Sequence, residues 1–330
     1  MSAHRIFVTG GSGFIGRNTI PALLLKSCRV IALEHIHPIF PQEQAGLKIV
    51  RGAIDPRNRR LREGIDGCDT LLHLAGASTP ASTAMDPSLD VRVNLLPILA
   101  LLQAAGGTRI KRIVSISSGG MVYGVPVYTP IDESHPTIPT SPYGVVKLAI
   151  EHMIRLWAIQ QGVEYIILRV GNPYGPHQRG HGHQGVVGTW LPRVLKNRPL
   201  VVWGDGSIVR DYIYVGDVAE ALAIGCTQAG LASGPYNIGT GTGVSLLEIA
   251  RTLAEVAGRR IKLKFEPGRP FDPPVNILSP KHFAAATGWR ATTPLREGIV
   301  KTLSHAADHG IASGQYRAGD KCGAGNAHYT

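Results

Sequence analysis

Apolar runs along the chain alternate between strand-length segments and helical stretches. Arg5–Thr9 is a short, largely β-branched run that ends in Gly-Gly-Ser-Gly, and residues 14–26 then carry apolar side chains at helical spacing. This order predicts a strand, a tight turn and a helix. Similar short runs, mostly separated by helical segments, lie at residues 29–33, 48–51, 70–75, 112–117 and 165–170. Because these runs are almost entirely apolar, they indicate a parallel sheet with helices on both faces.

The pattern changes after Val170. Residues 171–188 are rich in Gly, His and Pro, a helical segment follows at 186–195, and short strands come next. A strand and helix pattern resumes at 213–223, so the first lobe is predicted to be revisited at about 211–239. We therefore predict an α/β protein with a first lobe at 1–171 and a smaller, interleaved α/β lobe at 172–312. The aliphatic-poor residues 313–330 predict a flexible tail.

Composition narrows the class of partner. A chain of 330 residues with 44% hydrophobic and 17% charged side chains is large enough for one big lobe or two unequal lobes and is not disordered throughout. Its net charge of 34 − 23 = +11 indicates an anionic partner. No basic helix is interleaved with aromatic residues. The basic residues are scattered, with the exception of one arginine cluster: Arg57, Arg59, Arg60 and Arg62. A phosphorylated small ligand is therefore favoured over nucleic acid.

Cysteine and histidine spacing gives no metal signature. The cysteines are far apart and predict reduced structural thiols: Cys28, Cys68, Cys226 and Cys322. The histidines of HQRGHGH have no acidic or thiolate neighbour, which predicts a loop rather than a metal site: His177, His181 and His183. The chain opens without a signal peptide, and the apolar run LLPILALLQAA is too short to span a bilayer. A cytoplasmic protein without a membrane partner is expected.

The first turn carries a candidate dinucleotide site. Gly10, Gly13 and Gly16 stand at GxxGxxG spacing between a strand and a helix. Glycines here allow a tight turn, backbone approach to a pyrophosphate and close packing of helix on strand, with the phosphate at the helix N-terminus.

An acidic residue follows at the end of the second predicted strand. Glu34 lies about 20 residues beyond the glycines, where a carboxylate accepts hydrogen bonds from an adenosine ribose and repels a 2′-phosphate. This favours NAD as the cofactor. Basic residues nearby keep NADP as an alternative: Arg17, His35 and His37.

A second constellation indicates acid–base chemistry. Ser141 and Pro142 open a predicted helix with a capping hydroxyl and a first-turn proline, and Lys147 follows Tyr143 by four residues. The two side chains share a helix face, where the lysine ammonium and a positive nicotinamide ring would favour the phenolate form of tyrosine. The pair predicts a general base that works near neutral pH.

These motifs occur in a recognisable order. From Thr9 onward the chain carries TGGSGFIG, HLAG, SSGGMVYG, SPYGVVK, LRVGNPYGP and VRDYIYVGDVA. The set resembles the extended short-chain dehydrogenase/reductase family, most closely the UDP-glucose 4-epimerases and their NAD-dependent epimerase/dehydratase relatives. The resemblance runs from about Arg5 to about His305 and implies a doubly wound parallel sheet (Rossmann fold) that binds NAD. It also implies a smaller C-terminal lobe that clamps a nucleotide-diphosphate sugar.

The resemblance also implies residue roles. Tyr143 would be the catalytic base, and Lys147 would bind the nicotinamide ribose and tune Tyr143. The dinucleotide phosphates would be contacted by Gly10, Gly13, Phe14, Ile15 and Gly16. Glu34 would bind the ribose. The cofactor cleft would be lined by Leu74, Ala75, Gly76 and Asn94. The nucleotide diphosphate would be held by Asn172, Arg210, Arg269 and Asp272. A homodimer through the helix that starts near Tyr143 is also implied.

The chain departs from the family at two positions. The hydroxyl residue that lies four residues before the tyrosine of VYG is replaced by Gly119, so Ser118 is the expected stand-in, with Ser117 or a substrate-bound water as alternatives. An Asp that binds adenine is replaced by Ala53, which leaves Ile54 to pack on the ring.

A third difference bears on the reaction. Relatives that eliminate water carry an Asp-Glu pair where this chain has Gly120 and Met121. We therefore expect 4-epimerisation of a UDP-sugar through a transient 4-keto sugar. The alternatives are a nucleotide-sugar dehydrogenase or reductase and a non-catalytic NAD-binding regulatory protein.

Overall fold

The computed structural model describes residues 3–34, 45–55, 57–178, 185–268 and 273–308. The strands are β1 (Arg5–Thr9), β2 (Arg29–Glu34), β3 (Leu47–Arg51), β4 (Thr70–His73), β5 (Arg112–Ser118), β6 (Glu164–Val170), β7 (Asn172–Tyr174), β8 (Leu200–Trp203), β9 (Val209–Arg210), β10 (Tyr212–Tyr214), β11 (Gly234–Ile238), β12 (Val244–Ser245), β13 (Leu263–Glu266) and β14 (Val275–Asn276).

The helices are α1 (Phe14–Leu25), α2 (Arg59–Ile65), α3 (Pro80–Met85), α4 (Pro87–Asp90), α5 (Leu96–Ala105), α6 (Pro142–Gln161), α7 (Val186–Leu195), α8 (Val215–Thr227), α9 (Leu246–Ala257), α10 (Lys281–Thr287) and α11 (Leu295–Asp308). A π-helical turn, Val91–Leu95, joins α4 to α5.

Seven parallel strands form the central sheet, in the order β11-β6-β5-β4-β1-β2-β3. Along β1 the side chains of Ile6 and Val8 pack in one core with α1 and α8, whereas Phe7 packs in another core with α2, α5 and α6. Both faces are therefore covered by helices, which is why the strands lack a polar alternation. The predicted doubly wound α/β fold is confirmed.

The strand ends follow the predicted positions closely. β4 stops at His73, two residues before the predicted end at 75. The backbone of Ala75 lies against Gly10 there, and the chain leaves the sheet at this contact.

The second lobe is built from small sheets and three helices. β7 pairs in parallel with β10, β9 lies between β12 and β14, and β8 pairs with β13. Helices α7, α9 and α11 pack around a separate apolar core that includes Trp190, Leu253 and Ile299. The chain returns to the large sheet through β11, which adds to its edge beside β6. The domain boundary at residue 171 stays a prediction, and the predicted tail at 313–330 lies outside the described residues.

The helical run before the central strand β5 begins earlier than its apolar sequence indicates. The structure continues the helix of LLPILALLQAA back to Pro87, through the π-helical turn. By length and composition this run, Pro87–Ala105, is apolar enough to cross a bilayer, with a mean hydropathy of 1.3. Ile98 and Leu101 pack instead into the core beneath the sheet, so the fold itself accounts for part of this apolar character.

Candidate active site

The glycine turn after β1 is shaped by contacts that leave no room for side chains. Gly10 has a φ of +74°, and a Cβ on it would lie 2.5 Å from the amide nitrogen of Ala75. A Cβ on Gly16 would lie 2.6 Å from the carbonyl oxygen of Gly11. The turn, the start of α1 and the end of β4 are thus in backbone contact.

The start of α1 fits an anionic group. Among the described residues no side chain caps this helix at Gly13, and its first turn holds no acidic residue. The first backbone N–H groups of a helix carry partial positive charge and bind phosphate when nothing else satisfies them. The cradle made by Gly10, Gly13 and Gly16 therefore fits a dinucleotide pyrophosphate. Phe14 and Ile15 lie in this first turn, as the sequence predicts.

The residues predicted to contact the ribose and the adenine lie at the ends of β2 and β3. Glu34 is buried at the end of β2, and its carbonyl accepts a hydrogen bond from Gly52 at 3.0 Å. Ile54 is half-buried against the core in the turn that follows β3. Asn58, which the sequence analysis did not single out, organises this turn, since its side chain donates to the carbonyl of Ala53 at 2.8 Å. Two of the basic residues that keep NADP as an alternative, His35 and His37, lie outside the described residues.

The loop after β4 is held by Asn94. Its Oδ1 accepts from the backbone nitrogen of Ala77 at 3.1 Å, and its Nδ2 donates to Ser78 Oγ at 2.6 Å and to Asp90. Asn94 lies in a π-helical turn, whose backbone hydrogen bonds join residues five apart instead of four apart as in an α-helix. Sequence patterns do not predict such a turn. The sequence analysis therefore did not identify Ser78 and Asp90 as hydrogen-bond partners of Asn94.

Tyr143 and Lys147 lie at the start of α6. Ser141 caps this helix, its Oγ accepting from the backbone nitrogen of Gly144 at 3.2 Å. The Lys147 Nζ lies 5.5 Å from the centroid of the Tyr143 ring. A Cβ on Gly76 would stand 3.7 Å from this Nζ and 3.8 Å from Asn94 Oδ1. The structure therefore brings Tyr143, Lys147, Gly76 and Asn94 together, with Leu74 and Ala75 just before them at the end of β4.

A buried histidine lies beside this group. His73 Nδ1 is hydrogen-bonded to Thr9 Oγ1 at 2.9 Å, beneath the glycine turn. Burial, together with the positive charge of Lys147, lowers the pKa of His73 from 6.5 to about 3. His73 is therefore neutral at physiological pH and supports the turn without adding charge.

A side chain at residue 119 would have little space. A Cβ on Gly119 would overlap the side chain of Leu278 and stand 3.1 Å from the carbonyl oxygen of Arg169. Leu278 is fully buried, so it has little freedom to move aside. A serine at 119 would need this part of the core to be repacked.

Ser118 and Ser117 have different surroundings. Ser118 is half-buried, and its Oγ stands 4.0 Å from where a Cβ on Gly120 would be, while Asn172 Oδ1 stands 3.8 Å from the same point. Ser117 is buried and donates to Glu151 Oε1 at 2.5 Å. Ser117 is thus engaged elsewhere, and the assignment of the hydroxyl role to Ser118 stays a prediction.

The proposed diphosphate residues meet where the two lobes join. Asn172 begins β7, and its backbone nitrogen donates to the carbonyl of Asp211 at 2.8 Å. Arg210 Nη1 donates to the carbonyl oxygens of Val209 and Pro273 at 2.9 and 2.7 Å. Arg269 and Asp272 lie outside the described residues.

Asp211, which the sequence analysis did not single out, fastens this junction. Its carboxylate accepts from Thr240 N and Oγ1 at 2.9 and 2.7 Å, from Gly241 N at 3.1 Å and from Leu278 N at 3.3 Å. Burial raises the pKa of Asp211, against these hydrogen bonds, which lower it. Asp211 is part of the VRDY motif, but its partners Thr240, Gly241 and Leu278 are too distant in sequence to be predicted from that motif.

Within the described ranges no group of three or more His, Cys, Asp or Glu side chains is arranged to hold a metal ion. The ring of His177 packs edge-on against that of His305, with 4.2 Å between centroids. His181 and His183 lie outside the described residues.

Comparison with known proteins agrees with this geometry. The NAD dependent epimerase/dehydratase family matches residues 6–239. The UDP-glucose 4-epimerase of Mycolicibacterium smegmatis is 30% identical over 307 residues, which cover 91% of this chain and 97% of the relative.

Solved structures show the same likeness. The UDP-glucose 4-epimerase of Thermus thermophilus, solved in complex with NAD, has a TM-score of 0.83 and 35% identity over 91% of this chain and 98% of its own. That of Thermotoga maritima, solved with UDP-glucose, has a TM-score of 0.85 and 28% identity over 92% of this chain and 99% of its own. The glycine cradle, the Tyr143–Lys147 pair and these matches together show that the chain belongs to the NAD-dependent epimerase/dehydratase family.

Proposed function

We propose that this protein is an NAD-dependent UDP-sugar 4-epimerase. The observation that carries the proposal is the Tyr143–Lys147 pair, in which Lys147 Nζ lies near the Tyr143 ring and beside Gly76, in the loop that follows β4. Relatives over almost the whole chain are UDP-glucose 4-epimerases, and two solved neighbours were crystallised with NAD or with UDP-glucose.

The residues of this chain supply the proton chemistry. NAD held at Gly10, Gly13, Gly16 and Glu34 would supply the acceptor and then the donor of the hydride of C4 of the sugar. Tyr143 takes the proton of the C4 hydroxyl and gives it back after the ring has turned, so it acts as base and then as acid. The ammonium of Lys147 stabilises the phenolate by its positive charge. Ser118 hydrogen-bonds the same oxygen and keeps it in line with Tyr143.

Epimerisation needs the sugar to turn over while its nucleotide stays bound. Asn172 and Arg210, on β7 and β9, lie at the junction of the lobes and hold the diphosphate in this proposal. Arginine suits this task because its planar fork of donors matches phosphate oxygens. Gly120 and Met121 provide no carboxylate to eliminate water, so the keto sugar is reduced again rather than dehydrated.

The test is turnover of UDP-glucose and UDP-galactose by the purified protein, with products resolved by chromatography. We expect interconversion without net consumption of added NADH, followed at 340 nm. Tyr143→Phe should lower kcat on the order of 10²- to 10⁴-fold, because general acid–base catalysis contributes about that much. Tyr128→Phe is the control, since its phenol lies at the surface and donates to Asp132 at 3.1 Å.

Two other results would replace the proposal. Net oxidation of NADH with a nucleotide sugar would favour a reductase. Binding of NAD with no turnover of any UDP-, GDP- or dTDP-sugar, and no effect of Tyr143→Phe, would favour a regulatory NAD-binding protein.

We also propose that the protein is a homodimer that pairs through α5 and α6. Exposed apolar side chains lie along these two neighbouring helices: Leu96 and Leu99 on α5, and Val145, Met153, Leu156 and Ile159 on α6. The four on α6 recur at helical spacing and so lie within one arc of its surface. A contiguous apolar face of this kind is typical of a subunit interface.

A cytosolic location is proposed from the described cysteines. Cys28, Cys68 and Cys226 are free and buried, and burial raises the pKa of Cys68 to about 11. Free thiols suit a reducing compartment. Cell fractionation with an antibody against the chain would test this, and recovery from the membrane pellet would contradict it.

A further inference from the structure

A buried polar network lies directly behind the candidate active site. Glu151 of α6 forms a buried ion pair with Arg169 of β6, in which Arg169 Nη2 donates to Glu151 Oε2 at 2.7 Å and Nε donates to Oε1 at 3.1 Å. Ser117 of β5 donates to the same Oε1 at 2.5 Å. Arg169 Nη1 donates to Tyr123 Oη at 3.0 Å, and that phenol donates to Asn237 Oδ1 of β11 at 2.7 Å.

Each member of this network is buried. Glu151 and Arg169 are 7% and 5% exposed, and Tyr123 and Asn237 are fully buried. A buried ion pair gains little net stability, because desolvation of both charges offsets their attraction. Stability alone is therefore a weak reason for this pair, and its position suggests a different one.

The network joins α6 to β5 and β6 near the carboxyl ends of these strands, where the chemistry is proposed. Glu151 follows Lys147 by one helical turn and Tyr143 by two, so the three side chains lie near one face of α6. Its carboxylate binds Ser117, the residue before Ser118, and also binds Arg169 on the next strand. These contacts tie α6 to both β5 and β6.

We propose that Glu151 is a positioning residue, which through Ser117 and Arg169 sets the distance between Tyr143 on α6 and Ser118 on β5. This inference rests on the proposed function, since it assigns Tyr143 and Ser118 to the same reacting oxygen. Glu151 itself does not touch the substrate.

A small rotation of α6 would matter because the phenol is far from the helix axis. A tyrosine oxygen lies roughly 9 Å from the axis of its helix, so a rotation of about 10° moves it by about 1.5 Å. A misplacement of about 1 Å at a reacting group costs on the order of 10²-fold in rate. Binding of the sugar nucleotide by the other lobe would hardly change.

The test compares two ion pairs that involve β6, one between α6 and β6 and the other between β5 and β6. Glu151→Gln removes the charge behind the active site. Glu164→Gln is the control, since Glu164 of β6 binds Arg112 of β5 at 2.7 Å, at the opposite end of the strands. We expect Glu151→Gln to lower kcat by about 10- to 100-fold with KM within about threefold, and Glu164→Gln to change neither beyond about twofold.

One further readout separates positioning from a structural role. The double variant Glu151→Met with Arg169→Met leaves no buried charge unpaired and should fold. Its kcat should remain at least about tenfold low, because the polar contacts that tie α6 to Ser117 and Arg169 are lost.

The inference is overturned if Glu151→Gln has wild-type kcat, or if the folded double variant recovers it. Should the wild type fail to turn over any UDP-sugar, the proposed function fails, and crystal structures decide the positioning role. A shift of α6 against β5 by about 1 Å in Glu151→Gln, and no shift in Glu164→Gln, would then support it. An unmoved helix would refute it.

Discussion

At the scale of single residues, the space around a glycine decides which group can reach the reacting atoms. Gly119 lies at the position of the hydroxyl residue expected from the family resemblance. The side chain of Leu278 occupies the space that a Cβ at this position would need. The sequence shows the missing hydroxyl, while only the structure shows that a side chain at this position would overlap Leu278. The same consideration explains why the glycine turn tolerates no side chain.

Gly16→Ala should destabilise the protein and weaken NAD binding. Its Cβ would meet the backbone of Gly10 and Gly11, which cannot move aside as a side chain would. We expect a loss of about 2–3 kcal/mol in the free energy of unfolding, measured by urea denaturation. Gly225→Ala is the matched control, because a Cβ there stands 3.5 Å from its nearest neighbour, Val114, and should stabilise α8 by a few tenths of a kcal/mol or more. Equal losses in both variants would contradict this account.

His73 predicts how stability depends on pH. Its folded pKa of about 3 lies below the ordinary value of 6.5, so between these values the unfolded chain binds the proton and the folded chain does not. The free energy of unfolding therefore falls as the pH drops below about 6.5, by up to about 1.4 kcal/mol per pH unit. Above pH 6.5 this contribution is constant.

Urea denaturation of wild type and His73→Asn between pH 5 and 7.5 isolates this effect. The asparagine amide can still meet Thr9 but does not titrate. The wild type should lose stability more steeply than the variant below pH 6.5. Parallel curves would show that His73 is protonated in the folded protein.

At the scale of elements, α6 carries the chemistry in its first turn and its anchor two turns later. Ser141 satisfies the backbone N–H of Gly144, so the turn that holds Tyr143 does not fray. The sequence predicts this cap and the YxxxK spacing correctly, because both are local in the chain.

Ser141→Ala should cost about 1 kcal/mol of stability and also lower kcat. Ser245 caps α9 in the second lobe, where its Oγ accepts from Glu248 N at 3.2 Å, and Ser245→Ala is therefore a matched control. We expect similar losses in thermal stability from both variants but a fall in kcat, about fivefold or more, only from Ser141→Ala. A similar fall in kcat from both would mean that global loosening, rather than fraying at Tyr143, limits turnover.

At the scale of the whole molecule, the lobes are joined by groups that are distant in sequence. Asp211 gathers Thr240, Gly241 and Leu278 around one buried carboxylate, and its backbone carbonyl accepts a hydrogen bond from Asn172 N at 2.8 Å. The apolar faces of α5 and α6 point outward from this assembly, on the side where the homodimer is proposed.

Leu156→Lys should convert the dimer into a monomer. Leu156 is 51% exposed on α6, and a charge buried at an apolar interface is costly. Sedimentation velocity should give about twice the chain mass of 35.2 kDa for the wild type and a single chain mass for the variant. Leu25→Lys is the control, since Leu25 is 87% exposed at the end of α1 and should leave the dimer intact. A monomeric wild type would refute the proposed interface.

The sequence by itself determined the parallel sheet, the glycine turn and the Tyr143–Lys147 spacing. These features depend on side-chain periodicity and on contacts within a few residues, and such short-range constraints are visible in the order of residues. Only the tertiary structure decided that Ser117 is engaged by Glu151, that Leu278 fills the space beside Gly119, and that Asp211 fastens the lobes. Each of these depends on a contact between segments far apart in the chain, which close packing in the folded core selects and no local pattern records.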